Sequence, residues 1–346
     1  MLAVVRHLQR NPAWRTIFRK SRVVGPRRPC PARRRRIQGL ALLLAALAHP
    51  AAAADLRVVV TIKPIHALVA QVMAGAGTPA LIVDGAASPH TYSLKPSDAR
   101  LLNNADVVFR VSEVLEPFTA RVAASLPASV AIVTLAATPG LKLLARRTGA
   151  TFEPDPHDHD HDKDGDHGAK PDAADADPHV WLNPDNARLM VARIAAVLAA
   201  RAPDQAALFR ANAVAADARI AEQTAKLEAI LSLLRGRPFI VLHDAYQYFE
   251  ARFGLAAAGS ISISPEVPPS AQRLTLLRRK MATLGATCVF SEPQTDPRVV
   301  AAVTEGLAAR FAELDPEGLT IAAGPELYAV LMSSLAMGMA GCLALQ

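Results

Sequence analysis

From Asp55 onward, short runs rich in Val and Ile alternate with longer amphipathic stretches. Short β-branched runs are typical of buried strands, and apolar positions spaced three and four apart are typical of helices. The first half of this region contains predicted strands at 56–62, 80–83, 107–111 and 130–135. The second half repeats the pattern, with predicted strands at 239–242, 260–263, 287–290 and 311–314.

Helices are predicted between these strands and after the last of them. One begins near Pro64, and another covers 97–104 with Ser97 as its N-cap. The others cover 245–253, 271–284, 298–309 and 326–343. Strands that alternate with helices favour right-handed βαβ units and parallel sheets. The predicted fold class is therefore α/β, with two Rossmann-like lobes.

A long helical stretch separates the two halves. It covers 186–200 and 204–234, and Pro203 is expected to divide it into two helices, one of which joins the lobes as a long rigid connector. The predicted organisation is a signal peptide at 1–54, an N-terminal lobe at 55–185, a helical connector at 186–235 and a C-terminal lobe at 236–346. The N-terminal lobe includes an expected disordered loop at 151–178.

The charge of the chain is concentrated at its N-terminus. The formal net charge is +7, but residues 1–54 contain twelve Lys or Arg and no acid, so the remainder has 26 basic and 31 acidic residues. The basic region is followed by an apolar run at 37–48 and by four alanines at 51–54. This order is typical of a secretory signal peptide rather than of a nucleic-acid-binding arm. The basic region is long for a signal, and we expect translation to start downstream of Met1.

Export from the cytoplasm is therefore expected, and no apolar run after residue 54 is long enough to span a bilayer. Removal of the signal leaves two cysteines, Cys288 and Cys342. A disulfide between them is favoured in an oxidising compartment, with two buried free thiols as the alternative. Their spacing does not indicate a zinc site.

The segment 151–178 differs from the rest of the chain. It has ten acidic residues against two lysines and almost no apolar residue, so it is expected to be a disordered surface loop. Imidazoles and carboxylates that alternate in a flexible tract indicate weak, adaptable binding of a divalent metal, and a solvated acidic spacer is the alternative. The candidate ligands are His157, His159, His161 and His167, with Asp158, Asp160 and Asp162.

Three further histidines lie at or beside the ends of predicted strands: His90, His179 and His243. In open α/β lobes, ligands bind beyond the carboxyl ends of the strands, so these side chains are expected to face the cleft between the lobes. Three imidazoles with one oxygen ligand suit tetrahedral zinc. Asp315 also ends a predicted strand, and Glu292, just after another, is expected to orient a ligand histidine.

The motifs around these residues resemble those of the zinc-uptake solute-binding proteins of ABC transporters (the ZnuA type), within the larger group of periplasmic zinc and manganese receptors. The resemblance covers the whole chain from Asp55. It is carried by the segments DGAAS at 84–88, YSLKPSD at 92–98, PHVWL at 178–182, HDAY at 243–246, YF at 248–249, QRL at 272–274, ATCVF at 286–290 and LDP at 314–316.

The resemblance implies that His90, His179 and His243 are the zinc ligands and that Cys288 and Cys342 form a disulfide. Asp315 occupies the place where manganese-type relatives supply a carboxylate. Many zinc members have an acidic residue directly before the first histidine, but this chain has Pro89 there. The fourth ligand is therefore either Asp315 or water. A third histidine favours zinc over manganese.

The expected function is that of a non-enzymatic periplasmic receptor, a monomer that binds Zn²⁺ and delivers it to a membrane permease and its ATPase. The alternatives are a secreted zinc hydrolase, a periplasmic zinc buffer or chaperone that uses only the His/Asp loop, and a manganese receptor. The hydrolase is disfavoured because the chain has no H-E-x-x-H motif.

Overall fold

The computed structural model describes residues 56–85, 87–147, 149–152, 171–264, 267–285, 287–293 and 296–344. The expected signal peptide at 1–54 lies outside these ranges. So does the central part of the expected His/Asp loop, residues 153–170.

The N-terminal lobe is built on a sheet of four parallel strands. They are β1 (Val58–Val60), β2 (Ala80–Leu81), β3 (Val107–Arg110) and β4 (Ala131–Thr134), in the order β2-β1-β3-β4. Helices α1 (Lys63–Val72), α2 (Pro96–Asn103) and α3 (Pro117–Ala123) follow β1, β2 and β3. The parallel sheet is the one predicted from the alternation of strands and helices.

Two long helices follow this lobe, α4 (Pro184–Arg201) and α5 (Ala206–Leu231), and they pack against each other. A short 3-10 turn that begins at Pro203 separates them, at the predicted break. Both helices also contact α1.

The C-terminal lobe repeats the sheet topology of the first. Its strands are β5 (Phe239–Val241), β6 (Ala257–Ser260), β7 (Thr287–Ser291) and β8 (Ala309–Glu313), all parallel, in the order β6-β5-β7-β8. Helices α6 (Gln247–Phe253), α7 (Ala271–Leu284) and α8 (Pro297–Thr304) lie between the strands, and α9 (Leu327–Leu343) ends the described chain.

Proline occupies the first turn of five helices: α1, α2, α3, α4 and α8. It is tolerated there because the first backbone N–H groups of a helix have no partner within the helix. This explains an error in the predicted cap of α2. Lys95 is the N-cap rather than Ser97, because the helix starts at Pro96 and the carboxylate of Asp98 accepts a hydrogen bond from the Lys95 N–H at 2.9 Å.

The apolar core is continuous through both lobes. One cluster includes side chains of both sheets and of α1, α4, α5 and α9. Alternate residues of β5 and β7 point to opposite faces of the second sheet. Phe239 and Phe290 therefore join the shared core, whereas Ile240 and Val289 pack with α7 in a smaller cluster.

Strand β6 lies at 257–260, whereas the sequence predicted a strand at 260–263. The strand is made of small residues, which give no strand signal. Its edge is covered by the first residues of the expected loop at 151–178, because Thr151 forms an antiparallel bridge with Gly259 and Phe152 N donates to Ala258 O at 2.9 Å. A Cβ atom on Gly259 would lie 2.4 Å from Ala150 O, so the close approach requires glycine.

The flanks of the expected disordered loop at 151–178 are therefore ordered. Thr151 pairs with β6 on one side, and Ala176 forms an antiparallel bridge with Ala145 on the other. Backbone pairing fixes these flanks although they contain few apolar residues. The composition of the segment did not predict this order, because it gives no information on backbone pairing.

Within the described ranges, no helix has both the length and the apolar character needed to cross a bilayer.

A disulfide joins Cys288 in β7 to Cys342 in α9, which confirms the expected pairing. Helix α9 packs on α1 and α5 as well as on β8, so the disulfide attaches to the second sheet a helix that also contacts the first lobe.

Replacing both cysteines by alanine should lower the free energy of unfolding by about 4 kcal/mol, because the bond closes a loop over a sequence separation of 54 residues. Urea unfolding of the double variant and of the wild type measures the difference. The wild type under reducing conditions is the control and should unfold like the variant. Equal stability of oxidised and reduced wild type would contradict the expectation.

Candidate metal centre

His243 lies beyond the carboxyl end of a central strand of the second lobe. It follows β5 by two residues, and Glu292 directly follows β7. These strands are neighbours at the point where the strand order of the sheet reverses, and ligands of open α/β sheets bind outside the strand ends at such a point. Both side chains are largely buried.

His179 directly precedes a single 3-10 turn, Val180–Leu182, that leads into α4. The turn is fixed from two sides. The indole N–H of Trp181 donates to Pro316 O at 2.9 Å, and the Tyr328 hydroxyl donates to Trp181 O at 2.9 Å. Because these partners lie in the C-terminal part of the chain, the turn that carries His179 is attached to both halves of the protein.

His90 lies in the loop between β2 and α2 and is the most exposed of the three histidines. The loop is held by Tyr92, whose buried hydroxyl donates to the carboxylate of Asp98 at 2.8 Å. Ser88 accepts a hydrogen bond from the His90 backbone N–H at 3.3 Å. The histidine is thus presented from an anchored loop and not from a strand end.

The three imidazoles form one cluster. A ring nitrogen from each of His90, His179 and His243 lies within 4.8 Å of the others. The Nε2 atoms of His179 and His243 are 3.4 Å apart. Two nitrogens that bind one tetrahedral zinc at about 2.05 Å are separated by about 3.4 Å, so the two buried imidazoles have the spacing that zinc requires.

A carboxylate holds the other nitrogen of each buried histidine. Asp177 Oδ1 is 2.7 Å from His179 Nδ1, and Glu292 Oε1 is 2.6 Å from His243 Nδ1. When Nδ1 carries the hydrogen and donates it to the carboxylate, Nε2 presents its lone pair to the cluster. The carboxylates therefore select the tautomer that can bind a metal.

Glu292 was predicted from the sequence to orient a ligand histidine, whereas Asp177 was not. Asp177 precedes His179 by only two residues, so this short spacing in the sequence could have indicated the contact. The Tyr248 hydroxyl donates to the Asp177 carbonyl oxygen at 2.9 Å, so the second lobe holds this residue in place.

Burial and neighbouring charges set the proton affinities of the centre. Burial lowers the pKa of His179 to about 3, so this imidazole is neutral at physiological pH. Burial also acts to lower the pKa of His243, but the neighbouring carboxylates, Glu292 first and then Asp177 and Asp244, together outweigh it and the net pKa is raised. Burial raises the pKa of Asp177 to about 7. A bound dication would favour the ionised carboxylate and the neutral imidazoles.

Asp315 lies outside the histidine cluster. Its Oδ1 accepts hydrogen bonds from the backbone N–H groups of Glu317 and Gly318 at 3.1 and 2.8 Å, and its Oδ2 accepts one from Thr320 at 3.3 Å. The carboxylate thus organises the loop that follows β8. In the part of the chain that the structure describes, only His90, His179 and His243 form a group of three or more potential metal ligands.

The candidate ligands of the His/Asp loop, from His157 to His167, lie outside the described residues. Weak metal binding by this loop stays a prediction.

An ion-pair network beside the centre was not found from the sequence. Arg147 donates to both carboxylate oxygens of Asp244 and of Glu250, and its guanidinium lies 3.9 Å from the ring centroid of Phe152. Arg147 is separated from these acids by about a hundred residues, so no local pattern indicates the contact. It attaches the segment before the His/Asp loop to the residue that follows His243.

A family model described as zinc-uptake complex component A, periplasmic (ZnuA), matches residues 58–342. The chain belongs to the ZnuA family. The high-affinity zinc uptake system protein ZnuA of Brucella abortus (strain 2308) is 42% identical over an alignment of 314 residues, and the match covers 83% of this chain and 91% of that protein. The protein of the same name from Paracoccus denitrificans (strain Pd 1222) is 38% identical over an alignment of 318 residues, and the match covers 88% of this chain and 97% of that protein.

A crystal structure of ZnuA has a similar fold. It aligns with a TM-score of 0.68 at 22% identity, over 83% of this chain and 99% of that chain. The two α/β lobes described above are therefore the architecture of solved structures in the ZnuA group.

Asp177→Asn should weaken Zn²⁺ binding by about 10- to 100-fold, because the amide is a poorer acceptor for the His179 N–H and supplies no negative charge. Isothermal titration with Zn²⁺ in competition with a chelator measures the change. Asp172→Asn, an exposed position five residues earlier, is the matched control and should bind like the wild type. Equal affinities of the two variants would exclude this role for Asp177.

Zinc affinity should fall with decreasing pH, and the fall should begin at a higher pH than it would with ordinary imidazole ligands. The pKa of His243 is raised in the metal-free protein, so its proton competes with the metal at a higher pH than an ordinary imidazole would allow. Glu292→Gln removes the charge that does most to raise this pKa, so its loss of affinity should begin at a lower pH. Dissociation constants measured across the range from acid to neutral pH test the shift. An unchanged midpoint in the variant would contradict it.

Proposed function

We propose that this protein is a periplasmic receptor that binds Zn²⁺ through His90, His179 and His243 and delivers it to an ABC-type importer. The observation that carries the proposal is the cluster of three imidazoles, two of them buried, with 3.4 Å between the Nε2 atoms of His179 and His243. The relatives named above as high-affinity zinc uptake proteins support the transported ion and the kind of transporter.

The donor set favours zinc over manganese. Imidazole nitrogen suits zinc, whereas manganese prefers a larger share of carboxylate oxygen. Asp177 and Glu292 hydrogen-bond the Nδ1 atoms of ligand histidines, and the Asp315 carboxylate accepts hydrogen bonds from three backbone N–H groups. We therefore propose that a water molecule is the fourth ligand of the zinc ion. The role of Asp315 is then to hold the loop that follows β8.

The proposed function is capture and delivery rather than catalysis. A zinc hydrolase also has three protein ligands and a water, but it needs a base that reaches this water. The two carboxylates beside the centre, Asp177 and Glu292, are instead directed at the Nδ1 atoms of ligand histidines.

A periplasmic location is supported by the description of the family and by the basic, apolar and alanine-rich order of residues 1–54. The implied partners are an inner-membrane permease and its ATPase. We expect the receptor to act as a monomer, because one chain supplies all three histidines. The proposed domain boundaries are 55–185 for the N-terminal lobe, 186–235 for the connector helices and 236–346 for the C-terminal lobe.

Substitution of each ligand histidine by alanine should reduce zinc affinity by at least about 100-fold, since each removes one of three protein ligands. Titration calorimetry on the purified chain, with chelator competition for the wild type, measures the effect. His66→Ala is a matched control, because His66 is buried in α1 outside the cluster. Tight binding that persists in all three ligand variants would refute the assignment.

A further inference from the structure

A groove of about 960 Å³ lies along the second lobe, between α8 and β8. It is lined by the end of β7, by α8 and by one face of β8, and we name it the α8–β8 groove. Its lining residues include Glu292, Val300, Glu305, Phe311 and Glu313. β8 is the last strand in the order of its sheet, so the groove lies at the border of the sheet.

The groove presents a large apolar side chain to solvent. Phe311 is 59% exposed, although it lies on the same strand as Ala312, which packs against the core. Residues 311 and 313 share one face of β8 because strand side chains alternate. An exposed aromatic residue in a groove is a typical anchor point for a partner.

The charged residues that line the groove are acidic, and Arg278 of α7 donates to the carbonyl oxygens of two lining residues, Ala302 and Glu305. The lining includes three glutamates, Glu292, Glu305 and Glu313, and among the described lining residues there is no lysine or arginine. The complementary partner therefore carries an apolar side chain next to a basic one. Charge complementarity of this kind increases association rates and suppresses wrong partners.

One end of the groove reaches the metal centre. Glu292 lines the groove and also contacts His243 Nδ1 at 2.6 Å. The Tyr246 hydroxyl lies 3.4 Å from the same carboxylate oxygen and donates to Leu314 O at 3.2 Å, which links the end of β8 to this glutamate. A partner seated in the groove would thus lie against the residue that holds His243.

We propose that the α8–β8 groove is the surface on which a partner protein docks through a basic segment with an apolar anchor, and that this contact is needed to transfer the metal but not to capture it. The inference rests on the proposed delivery function, because a protein that only stores zinc has no transfer step. Beyond delivery itself, we assign the surface that the partner contacts and the kind of side chains with which the partner binds it.

The test separates capture from transfer. Phe311→Ser removes the apolar anchor, and Glu305→Lys reverses one charge at the exposed C-terminal end of α8, where a lysine is compatible with the helix dipole. Each variant should keep the zinc affinity of the wild type within about twofold. Uptake of radioactive zinc should fall at least about tenfold in zinc-starved cells that carry the variant as the only copy. Glu305→Gln, which removes the charge without reversing it, should have a smaller effect than Glu305→Lys.

The controls are Met337→Ser on α9, 63% exposed, and Glu222→Lys on α5, both away from the groove. Both should support wild-type uptake. Wild-type uptake by the Phe311 and Glu305 variants would overturn the docking surface, and so would increased uptake by Glu305→Lys. His90→Ala distinguishes the two proposals. If it abolishes zinc binding while the groove variants transport zinc normally, the receptor function is supported and the docking surface is refuted.

Discussion

The centre depends on two carboxylate–imidazole hydrogen bonds. Asp177 and Glu292 each engage the Nδ1 atom of a buried histidine, and this leaves the two Nε2 atoms facing each other. Without these contacts, each imidazole could rotate or adopt the other tautomer, and ordering it would consume part of the binding energy. Most of the surrounding architecture serves to hold these two acids and the loop of His90 in place.

The two lobes contribute differently to this arrangement. His243 and Glu292 follow neighbouring strands of one sheet, so the sheet itself sets their separation. His179 and Asp177 lie on a connecting segment, which Trp181, Tyr248 and Tyr328 attach to other parts of the chain. The apolar core is continuous through both lobes, and α9, which the disulfide links to β7, packs on elements of both. The positions of the three histidines are therefore held by hydrogen bonds and packing from several parts of the fold.

The sequence predicts those features that produce local patterns. Seven of the eight strands lie largely where they were predicted, six of them in segments that contain Val or Ile, and the three histidines were singled out from their motifs and, for His243, from its position just after a strand. β6 was misplaced because a strand of Ala, Gly and Ser has no hydrophobic pattern, and the partner of its outer edge is a segment more than a hundred residues away. Helix α3 was not predicted. Arg147 could not be found, since its partners are adjacent only in the folded chain.

The short segment that pairs with β6 has a consequence for the chain around it. An uncovered strand at the border of a sheet is a template for aggregation, and proteins commonly protect such a border. Here the protection comes from residues 150–152, through the bridge of Thr151 to Gly259 and the hydrogen bonds of Ala150 and Phe152 to the same strand. The acidic, histidine-rich insertion begins only after this point. A change in the length or composition of that segment therefore does not by itself uncover the border of the sheet.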